Sequence, residues 1–225
     1  MDAGKAMARS GELMIDVTTQ LDLYGGALSS VGAQVRNAGD SLAQAAASMR
    51  FKTGSELVTD ELRECGTCLQ EAAQKCRLAV AEAQQDGSHD LVSILGASLL
   101  LFVNKTADVV CLTHFSLFSP LYLFTVIAER MQDPFSMGGQ ALESAGAGIL
   151  QRIPVSDVGT SLTDAAVQIK VIARLLPQLA PNESDAALAG QRLDYCAQQM
   201  TRAGQELQGV VPDKPKGKSW LKGGS

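Results

Sequence analysis

One stretch limits the folds open to this chain more than any other: Val109 to Ala128, VVCLTHFSLFSPLYLFTVIA, twenty residues without aspartate, glutamate, lysine or arginine. That is about the length of one bilayer-spanning helix, so the run must lie in lipid or at the centre of a helical core. A second apolar run, Leu91 to Val103, precedes it across the polar turn Asn104-Lys-Thr-Ala-Asp108. Half of the chain's ten aromatic residues fall here, Phe102, Phe115, Phe118, Tyr122 and Phe124, beside Leu91, Leu99, Leu101, Leu117 and Leu121. Together they predict a hydrophobic helical hairpin over 90–131.

On either side the pattern changes to narrow stripes with alternating steps of three and four, the signature of amphipathic helices. The first runs from Met14 through Leu21, Leu28, Val31, Val35 and Leu42 to Met49, and Gly25-Gly26 and Gly32 weaken it by on the order of 1 kcal/mol each. After Thr53-Gly-Ser-Glu56, which reads as a capping box, a second stripe carries Leu62, Cys65, Leu69, Cys76 and Ala83. Asp86-Gly-Ser-His-Asp90 reads as a loop. A third stripe holds Leu162, Ile169, Ile172 and Leu176 before Pro177, and a fourth, capped by Asn182 or Ser184, holds Leu193, Cys196, Met200 and Leu207 before Pro212. Asp133-Pro134 predicts a boundary. Gly138–Ile153 predicts a short helix packed through Leu142, Ala145, Ile149 and Ile153, its small residues permitting close approach.

The expected architecture is an all-α, elongated up-and-down bundle. Four heptad-patterned, coiled-coil-like helices, near 12–50, 55–85, 156–180 and 184–211, surround the central hairpin. Residues 1–11 are expected to be a flexible start, 12–211 the bundle, and 212–225 a disordered basic tail. In layout, though in no motif, this resembles colicin-type pore formers and the Bcl-2 family, whose amphipathic helices wrap a hydrophobic hairpin; no residue is carried over from them.

Bilayer and core compete for the central span. Its length passes a transmembrane screen, yet it contains His114, Ser116, Ser119 and Pro120. The thirteen residues of the first run rise only about 20 Å, against roughly 30 Å of hydrocarbon. Lys105 and Arg130 flank the second run at opposite ends and give no orientation. A charge-free run of this length is uncommon even in buried helices, where one polar stripe usually survives, and this favours lipid.

Chemistry is sparse. Cys65-Gly-Thr-Cys68 has redox or zinc-like spacing, but no second ligand pair matches it and both cysteines fall within a helical repeat, where the thiol acts as a small hydrophobe. His89 and His114 lie near no nucleophile, and no phosphate-binding glycine loop, dinucleotide fingerprint or metalloprotease motif occurs. No catalytic residue, cofactor or metal is expected. A net charge of −5 argues against nucleic acid. Five scattered cysteines and an opening without a signal-peptide run suggest an intracellular setting, and Asn104 and Asn182 then match the glycosylation pattern by chance. The tail brings Lys216 and Lys218 beside Trp220, the only tryptophan, a combination suited to anionic headgroups.

Contact rather than turnover is the expected work. The leading expectation is a non-enzymatic membrane-associated scaffold or assembly subunit, anchored through 109–128, binding other helical proteins and able to oligomerise. A soluble cytoplasmic adaptor of cytoskeletal or trafficking type, with 91–128 as its core, is the second. A membrane-inserting pore former or death regulator is the third.

Overall fold

The protein was analysed as a computed structural model, which describes residues 3–22, 26–101, 110–179 and 184–210, with the backbone alone at 19–22, 26–28, 83–101, 110–125 and 179. Among the described residues there are six α-helices and no strand: α1 (Ala3–Asp22), α2 (Gly26–Phe51), α3 (Ser55–Leu101), α4 (Val110–Leu150), α5 (Val155–Leu179) and α6 (Ser184–Leu207). The four separate amphipathic helices and distinct central hairpin expected from the sequence are not seen as such: α3 and α4 each run on from the bundle into the hydrophobic span.

Each helix packs against its neighbours in the chain, and α6 packs against α1, so the described residues close into a ring of antiparallel helices. The seam between the first and last helices is stitched by backbone-directed bonds. Ser10 Oγ donates to the Cys196 carbonyl and Cys196 Sγ to the Ser10 carbonyl, both at 3.4 Å, and Arg192 Nη1 donates to the Asp16 carbonyl at 3.0 Å. All six helices contribute side chains less than 2% exposed to one continuous core, among them Met7, Leu42, Leu69, Leu142, Ile169 and Met200.

Three contacts between paired glycines draw the helices together. A Cβ on Gly11 would lie 2.5 Å from the Gly39 carbonyl oxygen, and one on Gly39 2.7 Å from that of Gly11; the corresponding distances are 2.6 and 2.5 Å for Gly66 with Gly139, and 2.5 Å both ways for Gly159 with Gly204. Each crossing joins the two helices of one hairpin, α1 to α2, α3 to α4 and α5 to α6. Only a Cα hydrogen fits there, pointed at the opposing carbonyl, a recurrent weak contact of close helices. The ring is thus three helical hairpins built alike.

The chain leaves the second helix of each hairpin at the same end of the ring. There Lys52 (φ 55°), Arg152 (φ 56°) and Gly209 (φ 76°) take the left-handed conformation that terminates a helix. Thr53 N–H donates to the Ser48 carbonyl, Ile153 N–H to Gly148 and Val210 N–H to Gln205, the long-range bond of a Schellman cap in every case.

Several sequence expectations give way here. The predicted helix 12–50 is two helices, α1 ending at Asp22 and α2 beginning at Gly26, and the two pack on each other. Of the start expected to be flexible, residues 3–11 are helical, and Ala6, Met7 and Ser10 are fully buried. Thr53 does not cap α3: its N–H and hydroxyl both reach the Ser48 carbonyl, at 3.2 and 3.4 Å, closing α2. Residues 86–90 form no loop but continue α3, since extending a nucleated helix costs only about 1 kcal/mol at a glycine. Nor is Asp133-Pro134 a boundary. The interior proline forfeits a hydrogen bond, a penalty of about 3 kcal/mol, while burial of the flanking Met131 and Phe135 returns roughly 1.5–3 kcal/mol each. The short helix expected from Gly138 is consequently the last part of α4.

Candidate functional site

The residues singled out as helix-packing positions fall into one shielded interior. Val31, Val35, Leu42, Leu62, Leu69, Leu162, Ile169, Ile172, Leu193 and Met200 are all buried, and Leu207 is partly buried at the capped end of the ring. Leu21 and Leu28 sit in α1 and α2, with side chains outside the described set. The oily span behaves differently in what it adds to the helices. α3 and α4 are 47 and 41 residues long against 20–26 for the others, so they measure roughly 60–70 Å and the rest about 30–40 Å.

Leu91, Leu99 and Leu101 belong to the excess of α3, and Phe115, Leu117, Phe118, Leu121, Tyr122 and Phe124 to that of α4, by backbone alone. Phe102 and the tail residues Lys216, Lys218 and Trp220 lie outside the described residues. Among the described residues no helix is long and apolar enough to cross a membrane; of the candidate span 109–128, side chains are described only at 126–128.

The Cys65-Gly-Thr-Cys68 motif is explained by the α3/α4 crossing. Gly66 meets Gly139, while Cys65 turns into the core and Cys68 is 4% exposed. Burial pushes the Cys65 thiol well above its ordinary range and Cys68 up to about 11, with Glu64 adding to the latter. Burial likewise raises Cys76 and Cys196 to about 12, and at Cys196 it outweighs the opposing hydrogen bond with Ser10. Reactive thiols need the reverse, a stabilised thiolate. Among the described residues no cluster of histidine, cysteine or acidic groups could hold a metal ion. His89 and His114 fall where only the backbone is described.

Concavities flank the crossings. An open groove of about 920 Å³ along α3 and α4 is lined by Asp60, Arg63, Glu64, Thr67 and Glu143, with Thr67 donating to Glu143 at 3.3 Å. It mixes both charge signs. At the capped end, where the three second helices finish, the ring opens into a mouth of about 450 Å³ walled by Met49, Val58, Ile149, Ile153, Val158 and Leu207.

The repeat is the feature that stripe-reading missed. Aligned on the crossing glycines, the first helices read Ser10-Gly-Glu-Leu-Met14, Cys65-Gly-Thr-Cys-Leu69 and Val158-Gly-Thr-Ser-Leu162. The second helices read Ala38-Gly-Asp-Ser-Leu42, Gly138-Gly-Gln-Ala-Leu142 and Ala203-Gly-Gln-Glu-Leu207. Four residues before each second glycine stand Val35, Phe135 and Met200, all buried. Comparing the chain with itself would have found this, since a large residue three after each glycine recurs six times in a common register, with a small residue before five of the six glycines. No protein family, curated relative or solved structure matches the chain.

Proposed function

We propose that the chain is a non-enzymatic, membrane-associated helical scaffold or assembly subunit of the cell interior, in which the hydrophobic hairpin 90–131 is the anchor, chiefly through 109–128, and the ring offers helix faces to other helical proteins. One observation carries this reading: the ring closes among the described residues, each helix flanked on both sides, so no flank is left for a further apolar element to fill. An oily span that the core does not need has to be kept from water elsewhere, and lipid is the environment its length suits. The deeply buried, proton-holding thiols support a binding role over a catalytic one.

Membrane fractionation tests it. The chain is expected to pellet with membranes and resist carbonate extraction, and Leu117→Asp is expected to release it while leaving the melting transition within about 0.5 kcal/mol of wild type, the range of substitutions away from the core. A detergent-free, monodisperse wild-type protein that Leu117→Asp unfolds would instead identify the soluble adaptor, with 91–128 as part of its core.

A further inference from the structure

We propose that the apolar mouth at the capped end of the ring binds a single-chain carboxylate amphiphile, a free fatty acid in chemical class, with its alkyl chain among the mouth's walls and its carboxylate held at the rim by Arg152. The ring alone builds this site, so its ligand does not depend on where the oily span resides.

The mouth is apolar and graded in depth. Seven of the nine residues that wall it are aliphatic or methionine. Because α5 runs inward from this end, exposure falls within one turn from 58% at Val155, on the rim, to 4% at Val158. Ile153 closes one side, turned back by its cap so far that a Cβ on Gly148 would lie 2.5 Å from its Cδ1. At about 450 Å³ the space falls near the lower end of the roughly 300–1,000 Å³ usual for small-ligand pockets, which suits one alkyl chain rather than the two of a phospholipid.

Charge selects the head group. The two polar walls are Ser55 and Arg152, and Arg152 is the only charged one. Its side chain is exposed on a backbone fixed at φ 56° and pairs with no acidic group among the described residues. Other charges at this end are not walls of the mouth: Arg50 lies over the Phe51 ring at 6.0 Å, and the Asp157 carboxylate accepts from Ser156 at 3.3 Å. The helix ends add to the same preference, since the caps take up the carbonyls of Ser48, Gly148 and Gln205, groups that would otherwise favour a cation. An apolar cleft with one unpaired guanidinium at its lip is complementary to a carboxylate that carries a hydrocarbon tail. Affinity then comes from the chain, about fourfold for each methylene buried, and Arg152 sets the sign of the head.

Photolabelling tests the site. The purified full chain is incubated, in the presence of phosphatidylcholine nanodiscs, with decanoic acid bearing a diazirine on its chain, and the label is mapped by mass spectrometry. Occupancy predicts labelling within 149–158 that excess decanoate suppresses and that an alkylamine probe of the same length does not reproduce. Arg152→Glu should lower that labelling about fivefold, the size of an exposed ion pair, and Arg152→Lys should largely retain it, with circular dichroism unchanged in both. The proposal is overturned if the carboxylate probe labels 109–128 but not 149–158, if the amine probe labels the mouth equally well, or if Arg152→Glu leaves the labelling intact.

Discussion

The two halves of α3 and α4 are written in different patterns. The near half, through Val58, Leu62, Cys65 and Leu69 on α3 and Met131, Phe135 and Leu142 on α4, buries one stripe and sets exposed polar residues such as Arg63, Glu71, Glu129 and Gln140 opposite it. The far half, over 91–101 and 110–125, contains no charged residue on any face. A stripe answers to a neighbouring helix, whereas an all-round apolar surface answers to a surrounding medium. On the proposed anchoring the same pair of helices serves two environments, and the ring should then be sensitive to steric detail while the far half should be sensitive to polarity.

Adding volume at a crossing should sharpen that contrast most. Gly139→Val would press a branched side chain against the Gly66 carbonyl, which is fixed backbone with nowhere to move, and should cost about 3–4 kcal/mol in thermal unfolding. Gly11→Val and Gly159→Val should behave alike if the hairpins are equivalent; tolerance at any one of them would break the threefold account at that hairpin.

Removing volume should have a graded effect. Leu142 is fully buried and Leu207, its counterpart in the repeat, is only partly so. Leu142→Ala should cost about 3 kcal/mol, within the usual range for a core leucine, and Leu207→Ala about 1 kcal/mol. Equal losses in chemical denaturation would mean that the mouth is packed as tightly as the interior.

An effect confined to strong alkali should also appear. The folded chain holds the Cys76 and Cys196 protons up to about pH 12, against an ordinary 9.0 for an exposed thiol. Their contribution to stability is complete below about pH 9 and declines as pH rises toward 12, by about 1.4 kcal/mol per pH unit per thiol. Cys196→Ala should flatten the slope of stability against pH across that window; an unchanged slope would show that this thiol is not shielded.

What the sequence conveyed follows the same division. Stripes at three- and four-residue spacing located much of the core, because helix periodicity is local and residues such as Leu62, Ile169 and Met200 express it within a few turns, but they missed Met7, Met131 and Phe135. Helix ends were harder. Asp86-Gly-Ser-His and Asp133-Pro carry turn chemistry that the surrounding helix overrides, and the break between α1 and α2 read in sequence only as a weak point in one helix. The glycines were legible only as weak points in single helices. Their role depends on a partner at the matching register of another helix, as Gly66 depends on Gly139, and it becomes visible once the hairpins are aligned.

Excising residues 83–125 tests the central claim that the ring is complete without its oily span. In the shortened chain, Glu82 is joined to Val126 through a short glycine-rich loop, and thermal unfolding is followed by circular dichroism. The account predicts a helical, cooperatively melting protein with a midpoint within about 4 °C of the full chain, a difference of about 1 kcal/mol, and no carbonate-resistant membrane pelleting. A shortened chain that loses its cooperative transition, or one that still pellets with membranes, would contradict it.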